Sequence, residues 1–177
     1  MKEQFGFNTQ VGTERVFVQL NPFDKEVIQK YCKTLKAPNC YVEVGTDQGG
    51  SALIARSSTD ADIYTIDFMK KYTFVDDTIN FITKPSVDVA EDWDKPVGVL
   101  FIDGNHTEAK ADFLAWDKHV VSGGYVIFHD YINDSTFTVI EDCDELLNDN
   151  DNYEIIYKPD LTTETIENTR CLIAKKK

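Results

Sequence analysis

The chain has 177 residues, 42% of them hydrophobic and 12% aromatic, and a net charge of −13. That length is about one domain, large enough to bury a core without disulfide or metal staples, and the composition excludes a disordered chain. The acidic balance disfavours a nucleic-acid partner, whose phosphates it would repel, and no apolar run approaches a membrane span.

The first residues carry no apolar leader segment, and Cys32, Cys40, Cys143 and Cys171 form no CxxC pair. The cysteines therefore read as small buried residues of a reducing, cytoplasmic compartment. A single domain over 1–177 is expected, with 1–20 as an N-terminal extension and 21–177 as the core. The extension leaves little room for further elements. Asn21-Pro22 predicts a helix start, an N-cap followed by proline at the first helical position. Its apolar face is Phe23, Val27, Ile28, Tyr31 and Leu35.

A strand follows over Cys40–Val44, then a helix over about Gly50–Arg56, then a strand over Ile63–Phe68. Thr78–Ile82 reads as a strand closed by Lys84-Pro85-Ser86, with a short helix or turn over Val87–Trp93. Val97–Ile102 is uniformly apolar, as a central parallel strand is. The next helix packs Ala109, Phe113, Trp116 and Val120, and Ser122-Gly123-Gly124 ends it. Tyr125–Phe128 is a strand ending in His129-Asp130, and a helix covers about Thr136–Leu147. Tyr153–Tyr157 and Arg170–Ala174 close the chain as an antiparallel hairpin. Strands alternating with helices give an α/β fold, Rossmann-like, with a mostly parallel sheet, helices on both faces and a C-terminal antiparallel hairpin.

The densest chemistry lies in Tyr41-Val-Glu-Val-Gly-Thr-Asp-Gln-Gly-Gly-Ser51, a strand running into a glycine-rich turn and a helix. Such a unit lets a ligand approach the backbone, with Gly45 and Gly49 free to take positive φ. Glu43 disfavours a pyrophosphate there and suits a ligand with hydroxyls or a positive charge. That points to S-adenosylmethionine (SAM) over NAD or ATP, and the loop lacks the GxGxxG of a dinucleotide site. Asp67, at the end of the second strand, can accept from both ribose hydroxyls; the alternative is a solvated strand end. Phe68 packs on an adenine face or belongs to the core.

Asp103 and Asp130 end neighbouring strands, and two carboxylates that close repel unless a proton or cation lies between them. A divalent metal held by Asp103, Asp130 and His129 is one solution, Mg²⁺ by its oxygen ligands or Mn²⁺, Fe²⁺ or Zn²⁺ if the nitrogen ligates. The alternative leaves Asp103 to the cofactor alone and makes His129-Asp130 a hydrogen-bonded strand end. His106 is the candidate general base, suited by its ordinary pKa to taking a proton from a hydroxyl; a helix-start histidine bonded to backbone is the other reading.

Glu43-Val-Gly45-Thr-Asp-Gln-Gly49-Gly-Ser51 resembles motif I of class I SAM-dependent methyltransferases, in the variant E-x-G-x-x-x-G-x-S. Phe101-Ile-Asp-Gly-Asn-His106, then Asp112, Trp116, Gly123-Gly124 and His129-Asp130, is similar to the "IDG-x-H … D … W … GG … HD" signature of the branch containing the macrocin and mycinamicin sugar O-methyltransferases. The resemblance covers about 41–130. It implies a seven-stranded sheet with the last strand antiparallel. It implies a cofactor site of Glu43, Gly45, Thr46, Gly49, Ser51, Asp67, Phe68, Ser86 and Asp103. It also implies catalytic roles for His106 and Asp103, and Mg²⁺ (or Mn²⁺) near Asp103 and Asp130. His129 departs from the better-known metal-dependent members, which have a carboxylate there.

The function expected is SAM-dependent O-methylation of a small hydroxylated acceptor, a sugar or natural product, with no nucleic-acid or membrane partner. The acceptor pocket is expected to draw on the N-terminal segment, the Lys70–Asp77 region and the loop after Asp130. A homo-oligomer in which a partner subunit closes the site is left open. A metal-dependent hydrolase using Asp103, His106, His129 and Asp130, and a non-catalytic SAM-binding protein, are the alternatives.

Overall fold

The computed structural model describes residues 7–11, 14–71, 76–162 and 168–177, with side chains from Phe17 onward. β1 (Phe7–Val11) and β2 (Glu14–Val18) pair as an antiparallel hairpin where the sequence pattern predicts only an extension. A two-stranded ribbon needs something to pack on. Val18 provides the anchor: it is buried and lies so close to Gly50 that a Cβ there would meet its side chain at 2.8 Å.

α1 (Pro22–Cys32) starts as expected, on a capping box in which Asn21 and Asp24 accept each other's backbone N–H. Val27, Ile28 and Tyr31 are buried, but Phe23 is 39% exposed and Asp24 is wholly buried. The apolar face is therefore rotated from the one its spacing predicts, because Asp24 has distant partners, described below.

The remaining strands are β3 (Cys40–Val44), β4 (Ile63–Asp67), β5 (Ile79–Thr83), β6 (Val97–Ile102), β7 (Val120–Phe128), β8 (Tyr153–Tyr157) and β9 (Leu172–Lys176). They form one seven-stranded sheet in the order β5-β4-β3-β6-β7-β9-β8. The first five are parallel, and β9 runs antiparallel to both β7 and β8. α1 and α2 (Gly50–Arg56) cover one face; α3 (Ser86–Glu91), α4 (Ala109–Trp116) and α5 (Val139–Leu147) cover the other. Alternation along the strands divides the core. Val42, Leu100 and Val126 join Trp116 and Phe113 on the second face, while Tyr41, Phe101 and Ile127 join Ile28 and Ile54 on the first.

Other elements differ from expectation. α4 ends at Trp116, a 3₁₀ turn covers 117–119, and Val120 opens β7 five residues before Tyr125. Val97 pairs with Val120 and Val99 with Tyr125, so 121–124 bulge within the strand. Gly123, at φ +81°, and Gly124, where a Cβ would meet Val121 O at 2.9 Å, allow that bulge, so the pair does not end the helix. The last strand also begins at Leu172, not Arg170. The four cysteines are buried and unpaired. Among the described residues no helix is long and apolar enough to cross a membrane.

The chain crosses from β3 to β4 on one side and returns to β6 on the other. Their carboxyl ends flank the crevice that such a switch point opens, where ligands bind in open α/β sheets.

Candidate active site

A cleft of about 650 Å³ lies over that crevice. Its floor is the turn after β3. Gly45 has φ +98°, and a Cβ on it would lie 2.0 Å from the carbonyl oxygen of Asp103. Only glycine lets the β3 and β6 ends approach this closely. Asp67 ties the turn to the end of β4, accepting from Asp47 N at 3.1 Å and Met69 N at 3.0 Å. Phe68, 66% exposed, stands on the rim. Across the cleft Ser86 accepts from the buried Trp116 indole at 2.8 Å. Ser86 also bonds Asp112, whose carboxyl burial pushes up to about 6 against that hydrogen bond.

Beneath the turn, Glu43 is fully buried. It accepts from Tyr41 Oη at 2.9 Å and Thr65 Oγ1 at 2.6 Å, and Thr46 in turn donates to Thr65 at 2.7 Å. Burial raises the Glu43 carboxyl to about 7, against the pull of the hydrogen bonds from Thr65, Ser51 and Tyr41.

The other end of the cleft holds a charged network. Asp130, at φ +53°, lies two residues beyond β7. Its Oδ2 lies 2.9 Å from His106 Nε2, and the His106 ring stacks on Phe137 with centroids 4.1 Å apart. His129 Nδ1 lies 2.9 Å from Asp103 Oδ1, and Nε2 lies 3.1 Å from Asp24 Oδ2. Asp24 also accepts from Thr169 Oγ1 and the Arg170 backbone. Arg170 Nη1 is 2.8 Å from Asp130 Oδ1 but off a hydrogen-bond direction, so that buried oxygen is held by charge without an aligned donor.

Burial alone would lower His129, but Asp103 and Asp130 outweigh it and hold the imidazole well above its ordinary pKa. Burial would raise Asp24 and Asp130. For Asp24, His129 and then Arg170 win and drive it well below the carboxylate range. For Asp130, His129, the His106 hydrogen bond and Arg170 win and hold it down at about 2. Asp103 is raised, by burial first and by Asp130.

A family model described as "Methyltransferase domain" matches residues 42–131, just over half of the chain. The chain belongs to this methyltransferase family. It is a SAM-dependent methyltransferase of the class I fold. Solved structures agree in fold. An O-methyltransferase from Bacillus cereus, in complex with SAH, is 16% identical with a TM-score of 0.69, covering 89% of this chain and 82% of that one. The O-methyltransferase TomG from Streptomyces achromogenes, involved in tomaymycin synthesis and in complex with SAM, is 14% identical with a TM-score of 0.66, covering 86% and 78%. A protein from Clostridium thermocellum, described as an rRNA methylase, is 14% identical with a TM-score of 0.66, covering 86% and 94%.

In the methyltransferase, Gly45, Thr46, Ser51, Asp67, Phe68 and Ser86 border the cleft, and so do Asp103, His106 and Asp130. Glu43, Gly49 and His129 lie behind its lining: Glu43 underpins the turn, Gly49 caps α2 at φ +79°, and His129 bridges Asp103 to Asp24. Of the Lys70–Asp77 stretch, 72–75 lie outside the described residues, while Lys71 reaches the cleft and pairs with Asp47 at 3.4 Å. The N-terminal segment contributes Phe17, Val18, Gln19 and Leu20 to the wall. His119 is not part of the cleft lining and bonds Ala90 O at 2.8 Å.

Sequence reasoning misses Asp24 and Arg170. The spacing Asn21-x-x-Asp24 signals a cap, but a cap residue is normally solvated, and nothing local marks this one as buried. Asp112 is visible only as a member of the signature.

The methyltransferase has a candidate metal cluster in Asp103, His129 and Asp130, whose ligand atoms lie within 4.8 Å of one another. The donor set fits a divalent ion poorly. The facing oxygens of Asp103 and Asp130 are already met by His129 and Arg170, and the far nitrogen of His129 is met by Asp24.

Proposed function

We propose that this methyltransferase transfers a methyl group from SAM to a hydroxyl of a small acceptor, a sugar or natural product, with His106 as general base. The observation that carries this is the placement of His106. It borders the same cleft as the Gly45 turn and Asp67, and Asp130 fixes its Nε2 at 2.9 Å. With Nε2 engaged, Nδ1 is the nitrogen that receives the acceptor proton.

The reaction is an in-line displacement. The C–S bond of the sulfonium breaks as the C–O bond forms, the hydroxyl proton passes to His106, and S-adenosylhomocysteine leaves. The chain's contribution is positioning. Asp67 takes the ribose hydroxyls, Phe68 and Ser86 flank the adenine, and the Gly45 turn admits the methionine portion beside Asp103. Glu43 holds that turn from beneath through Tyr41, Thr65 and Ser51. The SAM- and SAH-bound relatives support the cofactor, and TomG, from tomaymycin synthesis, supports a small acceptor. Glu108, Asp112 and Asp130 in the lining disfavour a polyanionic acceptor such as RNA.

Calorimetric titration with SAM, with Mg²⁺ present and again after chelation, tests the reading. Micromolar binding is expected, followed by turnover against a panel of hydroxylated acceptors that His106→Ala lowers by about 10²–10⁴. Absence of SAM binding under both conditions would sink it.

A further inference from the structure

Carboxylates as close as Asp103 and Asp130 call for a cation beside them, and the chain sets one of its own against Asp130. We infer that Arg170 is the built-in cation of this site, and that the methyltransferase works there without a divalent metal. The inference deepens the transferase reading and rests on it.

Arg170 lies just before β9, and its side chain is only 12% exposed. Nη1 lies 2.8 Å from Asp130 Oδ1, Nε and Nη2 each lie 3.4 Å from Asp24 Oδ2, and the backbone N–H donates to Asp24 Oδ1 at 2.8 Å. It cannot swing aside for an ion without stripping Asp24, a fully buried carboxylate, of a counter-charge. Three further ligand atoms are also engaged. His106 sits on Asp130 Oδ2 at 2.9 Å, and His129 joins Asp103 Oδ1 to Asp24 Oδ2.

A divalent ion bound to Asp130 Oδ1 at about 2.1 Å would lie no more than about 5 Å from Nη1, given the 2.8 Å contact. A guanidinium keeps its charge at any working pH, so the two cations would repel in a mostly buried place. The Asp24–His129 pair taken alone also suits a metal-binding histidine, whose far nitrogen commonly meets a carboxylate. Arg170 is what separates the two arrangements. Activation of the acceptor hydroxyl then falls to His106, oriented by Asp130, with no Lewis acid beside it.

The test uses the full chain, stripped with chelator and titrated with MnCl₂ while free Mn²⁺ is read by electron paramagnetic resonance; SAM affinity is measured on the same preparation. The expected result is no stoichiometric Mn²⁺ site tighter than about 0.1 mM, and SAM affinity unchanged by chelation. Arg170→Met is expected to open a site at least about tenfold tighter than the wild type's. A wild-type site tighter than that limit and lost in Asp103→Asn would overturn the inference. So would a folded Arg170→Met that gains no Mn²⁺ affinity. If Arg170→Met does not fold, the wild-type titration decides alone. Failure to bind SAM would instead remove the transferase reading, and the Mn²⁺ result would stand separately.

Discussion

Gly45→Ala is the sharpest perturbation of the cleft. An added Cβ would sit 2.0 Å from Asp103 O, 2.5 Å from Asp103 C and 2.9 Å from Gly104 N. All three are backbone atoms, so no side chain can rotate away. The β6 end must retreat by more than ~1 Å to restore ordinary contact. That retreat opposes the 2.8 Å bond from Asp103 N to Val44 O and disturbs the Asp103–His129 contact. Overpacking of this kind costs about 1–3 kcal/mol, and a side chain at positive φ adds about 1–2 kcal/mol. For a chain of this size the melting temperature should fall by about 5–15 °C. SAM affinity should fall by about tenfold or more, since the same atoms floor the cleft. Thermal unfolding by calorimetry and SAM titration on the folded variant read both effects. A variant that melts within about 2 °C of wild type and binds SAM normally would refute the close approach of β3 and β6.

Three further outcomes follow from the same geometry. His106→Ala should lower kcat/KM by about 10²–10⁴ while SAM affinity stays within about twofold, and equal losses in both would move His106 from base to cofactor support. Asp67→Ala should weaken SAM about 10–100-fold by calorimetry, since it removes a charged acceptor and frees the Asp47 N–H it holds; unchanged affinity would remove it from the site. Glu43 has its carboxyl raised from 4.5 to about 7 in the fold, so its protonated form stabilises the native state fully below about pH 4.5, and that contribution is lost as pH rises through 7. Glu43→Gln should therefore gain stability relative to wild type between pH 5 and 8, by at most about 3 kcal/mol, and a flat difference in melting temperature across that range would refute the shift.

Most of the cleft can be read from short patterns. Gly45, Asp67 and Asp103 stand at strand ends, with His106 in the loop after β6, and strand ends follow from local hydrophobic runs. What escapes is whatever depends on distant pairing. Phe23 and Asp24 exchange exposure because Asp24 finds Thr169, Arg170 and His129 far along the chain, and no helical period encodes that. The 121–124 bulge escapes because Gly123-Gly124 looks like a helix stop until β6 supplies a register. The metal expectation arose from two carboxylates with no visible counter-charge, and Arg170 supplies one from a strand edge 40 residues beyond Asp130.

The placement of β9 bears on how the site is assembled. β8 has no pairing partner in the sheet until β9 slots between it and β7, and β9 is the last of the described strands to leave the ribosome. Thr169 and Arg170 arrive with it. Until then Asp24 lacks most of its donors, and Asp130 faces Asp103 without Arg170. The nascent chain can condense β3 to β7 around the cleft, but its charges stay hydrated until that closing strand docks. A chain stalled short of β9 would present a cleft with the right outline and an open, wet back wall.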